Sequence, residues 1–349
     1  MEATRDFGPS TMPTLSELDR DLLHGGTLVG GCRIVEAIAQ DDNGILYVAD
    51  DPMLQRNVLI REHYPLGLAA RGDRGEVVLV AGSDADARAA ALAGFLRGAR
   101  WLTRFDHPGI GRALRVWEER GTAYLMMPLY DGETLSAVLQ RTGAADEGWL
   151  RRLLANLCDA LAVLHGAGIF HLGLSPDAVW VTADGRPLLL DLATAGPATQ
   201  RPLADGLDRQ YAPIELFPHG GDLPVGPWTD IYGLGAIAHQ ALLGRPPVSA
   251  GGLGPNDAHA AIGEGVPRRA AGRMLRPPPS PAFLAAIDRA LAVRPEHRPQ
   301  DIDALRALLD LTGPAPASRV GTVAGAGGGG QAPAAPSVAA AGSAPAAAA

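Results

Sequence analysis

The sequence predicts an α+β chain with a small β-rich part followed by a larger helical part. Short β-branched or alternating runs crowd into its first third: RIVEAI, ILYVAD and NVLIRE, parted by turn signals at DDNG and DPM. Beyond Gly132 the apolar spacing changes to that of helices. From Gly313 onward neither pattern is present.

Residues 1–27 are polar and weakly patterned, which predicts a flexible leader without the basic-then-apolar order of a signal peptide. From Arg33 to Ala70 the β runs and their turns predict an antiparallel meander, and VVLVAG (Val77–Gly82) adds a short strand. Ala85 to Phe105 is helical in pattern, with Leu92, Phe95, Ala99 and Leu102 on one face, until DHPG breaks it. RALRVWEE and TAYLMMPLY form a hairpin about Arg120–Gly121, and a hinge follows near Pro128–Gly132. Helices are expected over Thr134–Gln140, Gly148–Gly166, Trp228–Leu243, Pro281–Ala292 and Gln300–Leu311. The tail 313–349 is mostly Ala, Gly and Pro, with one charge and no aromatic ring. Burial there cannot offset ordering entropy, so a disordered linker is expected. The expected folded unit is thus 28–312, divided into 28–127 and 133–312.

A formal charge of −8 argues against general binding to nucleic acid or anionic membrane. No apolar run approaches the roughly 18 residues of a membrane span, so the expected location is cytoplasmic. Cys32 and Cys158 are too few for a disulfide or metal framework. The chain holds no lysine; all 30 basic residues are arginine.

Five segments, taken in order, resemble the protein kinase family in its bacterial serine/threonine style. LIREHYPLGLAAR resembles the strand that bears the phosphate-binding lysine, and RFDHPGI the turn after the regulatory helix. QYAPIEL resembles the end of an activation segment, WTDIYGLGAIAHQALLGRPP the central helix of the large lobe, and RPEHRPQDIDAL the closing arginine motif. The resemblance implies a bilobal fold over most of the chain. It also implies that Glu215 and Arg298 form a buried ion pair, that Asp230 accepts N–H bonds from the catalytic loop, and that His171 opens that loop.

The positions that carry chemistry depart from the family. Where the family has His-Arg-Asp-Leu-Lys-Pro-Glu-Asn, this chain has His171-Leu172-Gly173-Leu174-Ser175-Pro176-Asp177-Ala178. Gly173 replaces the base, Ser175 the loop lysine and Ala178 a metal ligand; hydrogen and methyl neither accept a proton nor ligate magnesium. Arg61 stands for the phosphate-binding lysine, and no lysine elsewhere can replace it. Leu59 stands for a small residue against the adenine ring, and Met127 is expected, with Arg61, Leu59 and Gly44, in the vestigial nucleotide cleft. Gly98 falls at the helix glutamate, which leaves Arg61 without that partner. Of the phosphate-loop glycines only Gly44 remains, and Asp41-Asp42-Asn43-Gly44 reads as an ordinary solvated turn. Asp191, in Asp-Leu-Ala, is the one metal-binding position retained. Asp177 is expected to shape its loop, and His107 and His165 to serve structural roles.

The expectation is a pseudokinase: a binding or regulatory module in bacterial signalling with a protein partner and no cofactor. The alternative is an atypical serine/threonine kinase using Mg-ATP, with Arg61 on the phosphates and Asp191 on magnesium. Thr194 and Thr199 are the only hydroxyl residues of the activation-like segment Ala193–Gln210. With Leu172 in place of the arginine that would pair a phosphate, phosphorylation there is not the expected switch.

Overall fold

The structure is a computed structural model that describes residues 21–143, 145–199, 207–220, 222–254, 257–263, 278–311 and 319–320. It has the bilobal α+β form: a β-rich N-terminal lobe and a helical C-terminal lobe.

The small lobe is built on β1 (Leu28–Val29), β2 (Cys32–Asp41), β3 (Gly44–Asp51), β4 (Arg56–His63), a short hairpin β5 (Ala69–Arg71) and β6 (Val77–Leu79), helix α1 (Ala85–Leu102), and β7 (Phe105–Asp106), β8 (Arg115–Glu119) and β9 (Thr122–Pro128). Six strands join in the order β1-β2-β3-β4-β9-β8, every pair antiparallel. β4 lies inside this sheet, and its alternation is that of a strand covered on both faces. Leu59 packs into the main core with Leu46, Leu125 and Met127. Val58 and Ile60 join a second core with Tyr47, Tyr124 and Met126. Arg61 and Glu62 are neighbours in sequence and point to opposite faces by the same rule.

On the outer face Glu62 is fully buried and fully partnered. Arg71 grips it with two bonds, 2.7 and 2.6 Å, and the Tyr47 and Tyr124 hydroxyls donate to it at 3.0 and 2.7 Å. The leader is tied into this network. The Leu23 N–H donates to the Tyr47 hydroxyl, Tyr64 donates to the Asp21 carboxylate, and Arg71 donates to the Asp21 carbonyl. The expected flexible leader therefore does not extend to residue 27: Asp21, Leu23 and the turn after them pack on the lobe, and Leu23 is buried. Residues 1–20 lie outside the described residues.

Helix α1 starts where Asp84 accepts the N–H groups of Asp86 and Ala87, a side-chain cap. It buries Phe95, Ala99 and Leu102 as expected, and also Gly94 and Gly98, while Leu92 is only half buried. The helix stops at Leu102, three residues short of the expected end, and Phe105 pairs as strand instead.

The large lobe comprises β10 (Gly132–Thr134), α2 (Leu135–Thr142), α3 (Glu147–Gly166), β11 (Val179–Thr182), β12 (Pro187–Leu189), α4 (Pro227–Leu243), α5 (Pro281–Ala290) and α6 (Ile302–Leu308). Side-chain caps start most of these helices: Thr134, Asp146, Ser280 and Asp301 each accept an N–H of the first turn. α4 is apolar nearly all round and buried on almost every side, as a central helix must be. Gly244, in the left-handed region at φ 70°, ends it. The two lobes share one main core, which runs from Leu46, Leu59 and Phe95 to Leu153, Leu161 and Ile237. A last short strand, β13 (Arg319–Val320), pairs antiparallel with β7, so the region expected to be an unstructured tail contributes two backbone-paired residues. The other residues of 312–349 lie outside the described residues.

Candidate active site

The loop His171–Ala178 is positioned by Asp230 of α4. Its carboxylate accepts the backbone N–H groups of His171 and Leu172, both at 2.8 Å, and contacts His165 Nε2 at 2.8 Å. Burial pushes the Asp230 carboxyl upward. The His165 contact and the His171 N–H more than offset this, and hold it below the ordinary carboxylate range. Leu172 sits at φ 62°, unusual for a branched residue, with its side chain buried. His171 is buried, and burial lowers its pKa against the pull of Asp230 and Asp191. Ser175 closes the loop as a turn, its carbonyl accepting the Ala178 N–H at 3.1 Å.

Gly173 follows in this loop, and the space beside it is filled. A β-carbon there would come within 2.5 Å of Thr194 Oγ1. That hydroxyl is itself committed, donating to the His171 carbonyl at 2.8 Å. Gly98 of α1 is equally closed in, by the residues just before Thr194. A β-carbon on it would lie 2.5 Å from the Ala193 nitrogen and the Leu192 carbonyl carbon, so α1 rests directly on the backbone that follows Asp191. Neither glycine leaves room for a larger side chain without movement of backbone or of a bonded hydroxyl.

Arg61 has no carboxylate on α1 to meet, but it has two others. Its Nη2 lies 2.7 Å from Asp41 Oδ2, 3.0 Å from Asp41 Oδ1 and 2.8 Å from Asp191 Oδ2. Burial opposes the charge on Arg61, but the two carboxylates outweigh it and raise its pKa. Asp191 is further held by the Ala193 N–H, 2.7 Å from Oδ1. The expected solvated turn therefore divides. Asp42 is exposed, whereas Asp41 turns inward and also accepts the N–H groups of Asn43 and Gly44 at 2.9 Å each. The turn's central residues are Asp42 and Asn43, neither with positive φ, so it is not an Asn-Gly turn of the left-handed kind. Gly44 pairs with Asp41 and His63, and a β-carbon on it would run into the Glu62 carbonyl.

Between the lobes a cavity of about 230 Å³ is lined by Asp41, Asp42, Asp177, Asp191 and Asp208, with Gly173 and Thr194 among its other walls. This is below the range of about 300–1,000 Å³ usual for small-molecule pockets. Burial raises the pKa of Asp177, and Asp41 and Asp42 raise it further. Burial likewise raises that of Asp208, with Asp177 and Asp42 adding to it. The carboxylates thus repel one another, and a polyphosphate would add to that repulsion. Leu59 and Met127, register partners in β4 and β9, are both 0% exposed and do not line this cavity. Among the described residues no group of three or more His, Cys, Asp or Glu is placed to hold a metal ion.

Away from the cleft, Glu215 and Arg298 are both buried and pair through two bonds, 2.7 and 3.0 Å. Arg298 spends its remaining donors on the carbonyls of Ala292, Val293 and Trp228, and its guanidinium lies over the Tyr232 ring. Thr229 donates to the same carboxylate. The pair thus ties the 3-10 turn at Ile214–Leu216 to the segment before α6.

The protein kinase domain profile matches residues 81–306, and this chain belongs to that family. A solved structure described as "PpkA-294 apo form" is 36% identical, with a TM-score of 0.67, and the match covers 83% of this chain and 99% of that one. The serine/threonine-protein kinase PknA of Mycobacterium tuberculosis is 28% identical over 238 residues, 65% of this chain and 50% of PknA. Pkn1 of Myxococcus xanthus is 33% identical over 207 residues, 54% of this chain and 27% of Pkn1. The chain spans about half the length, or less, of these curated relatives. No helix among the described residues is long and apolar enough to cross a membrane.

Proposed function

We propose that this kinase-family domain is a pseudokinase, used as a protein-binding or regulatory module. The observation that carries the reading is the filling of the vacated positions. Thr194 fills the space beside Gly173, and the Leu192–Ala193 backbone fills the space beside Gly98. A kinase needs a base or orienter, two metal ligands and a lysine–glutamate pair. Here Gly173, Ala178 and Gly98 supply no such group, and Arg61 is bound to two carboxylates of the chain itself. The architecture is kept in the Asp230 bonds to the loop and in the Glu215–Arg298 pair. The partner proposed is a protein, and no cofactor is required.

The second reading is an atypical serine/threonine kinase. The 2.8 Å pairing of Arg61 with Asp191 favours it, because both groups stand together in the cleft. The relatives named as serine/threonine-protein kinases favour it too. Transfer of radiolabelled phosphate from Mg-ATP to general protein substrates, at high protein concentration, separates the two. No transfer, and no thermal stabilisation by millimolar Mg-ATP, is the expected result. Transfer that vanishes in Asp191→Ala overturns the pseudokinase reading.

A further inference from the structure

We infer that Asp41 is a built-in anion that occupies the phosphate position on Arg61 and keeps that guanidinium from a ligand. The inference rests on the pseudokinase reading and gives it a mechanism.

The donors around Asp41 are those a phosphate would use. Two backbone N–H groups of the β2–β3 turn, from Asn43 and Gly44, point at its Oδ1 from 2.9 Å. The guanidinium of Arg61 meets both its oxygens at 3.0 and 2.7 Å. Turn N–H groups with a basic side chain opposite form an anion-binding nest. Here the chain fills that nest with its own carboxylate. Arg61 then passes the connection on to Asp191 at 2.8 Å, so one guanidinium joins the turn of the small lobe to the segment Asp191–Ala193, whose backbone packs on α1. Arg61 is only 8% exposed, so this pairing is made away from solvent. The carboxylate of Asp41 thus excludes a polyphosphate from Arg61 by occupancy and by charge.

Pyrophosphate is the suitable probe, because it needs no adenine pocket and so bypasses Leu59. Asp41→Asn is the suitable variant: its amide oxygen can keep the two turn bonds while the negative charge is lost. Calorimetry at low ionic strength is expected to detect no pyrophosphate binding to the native chain. It should detect binding at least about tenfold tighter to Asp41→Asn, lost again when Arg61→Gln is added. The inference fails if Asp41→Asn binds pyrophosphate no more tightly than the native chain, or if binding survives Arg61→Gln. Hydrogen exchange on the unaltered chain gives a check that needs no variant. The Asn43 and Gly44 amides should be protected, and free exchange at both would overturn the occupied nest. Phosphoryl transfer by the native chain would defeat the pseudokinase reading, whereas the pyrophosphate result bears on Asp41 alone.

Discussion

Thr194 and Gly173 fit together as lock and gap: the threonine hydroxyl lies 2.5 Å from where a β-carbon on the glycine would stand, and it is bonded to the His171 carbonyl. Restoring the family's aspartate by Gly173→Asp is therefore expected to destabilise the domain by about 1–3 kcal/mol through overpacking. It is not expected to produce phosphoryl transfer. In Gly173→Asp with Thr194→Gly the two losses should be less than additive, because the second change removes the clash made by the first. Urea unfolding of the single and double variants measures this. Full additivity would show that the two residues do not compete for the same space.

The Glu215–Arg298 pair predicts a larger effect. Both side chains are fully buried, and removing either leaves an unpaired buried charge. Arg298→Ala or Glu215→Ala should cost about 3–5 kcal/mol. Arg298→Lys should recover little of this, because an ammonium cannot reproduce the two-pronged contact and the three carbonyl bonds. Chemical denaturation midpoints give the comparison.

His63 supplies a pH dependence. It is buried, beside the Phe95 ring with centroids 5.3 Å apart, and burial lowers its pKa from 6.5 to about 4. The unfolded chain therefore takes up a proton below pH 6.5 that the folded chain refuses. Stability from this residue is full above pH 6.5, falls as the pH drops towards about 4, and then levels, a total of about 3 kcal/mol. Thermal melts between pH 4 and 7 should be flatter in His63→Gln by about that amount. Identical pH profiles would refute the assignment.

Leu59 predicts a cavity. It is fully buried at the register position opposite Met127. Leu59→Ala should cost about 2–5 kcal/mol, as for other core leucines. A small aromatic probe such as adenine, added at millimolar concentration, should recover part of the lost melting temperature in that variant and leave the native chain unchanged. No recovery would mean that the vacated space has collapsed.

The bilobal outline was legible because its signals are local. The β runs lie beside the turn signals DDNG and DPM that part them, and the helical spacing begins directly beyond Gly132. Gly173 and Gly98 were singled out by their order along the motifs that the chain resembles. What now fills them was not. Thr194 lies 21 residues from Gly173, and Asp41 lies 20 from Arg61; those approaches arise from tertiary packing that no period reports. An acidic residue at a turn reads as solvated until the cation opposite it is known. Glu62 went unnoticed for a related reason. A charged residue in an otherwise apolar strand stands out only once Arg71, Tyr47 and Tyr124 are seen to converge on it.

That convergence sets where the chain can be cut. Asp21 and Leu23 lie before the first strand, yet they supply the acceptor for Tyr64, the donor for Tyr47 and a carbonyl for Arg71. A version trimmed to begin at Leu28 would leave Tyr64 without its carboxylate and take one partner each from Tyr47 and Arg71, which would keep their shared grip on Glu62. A shortened version that keeps these bonds should therefore begin upstream of the first strand, at or before Asp21.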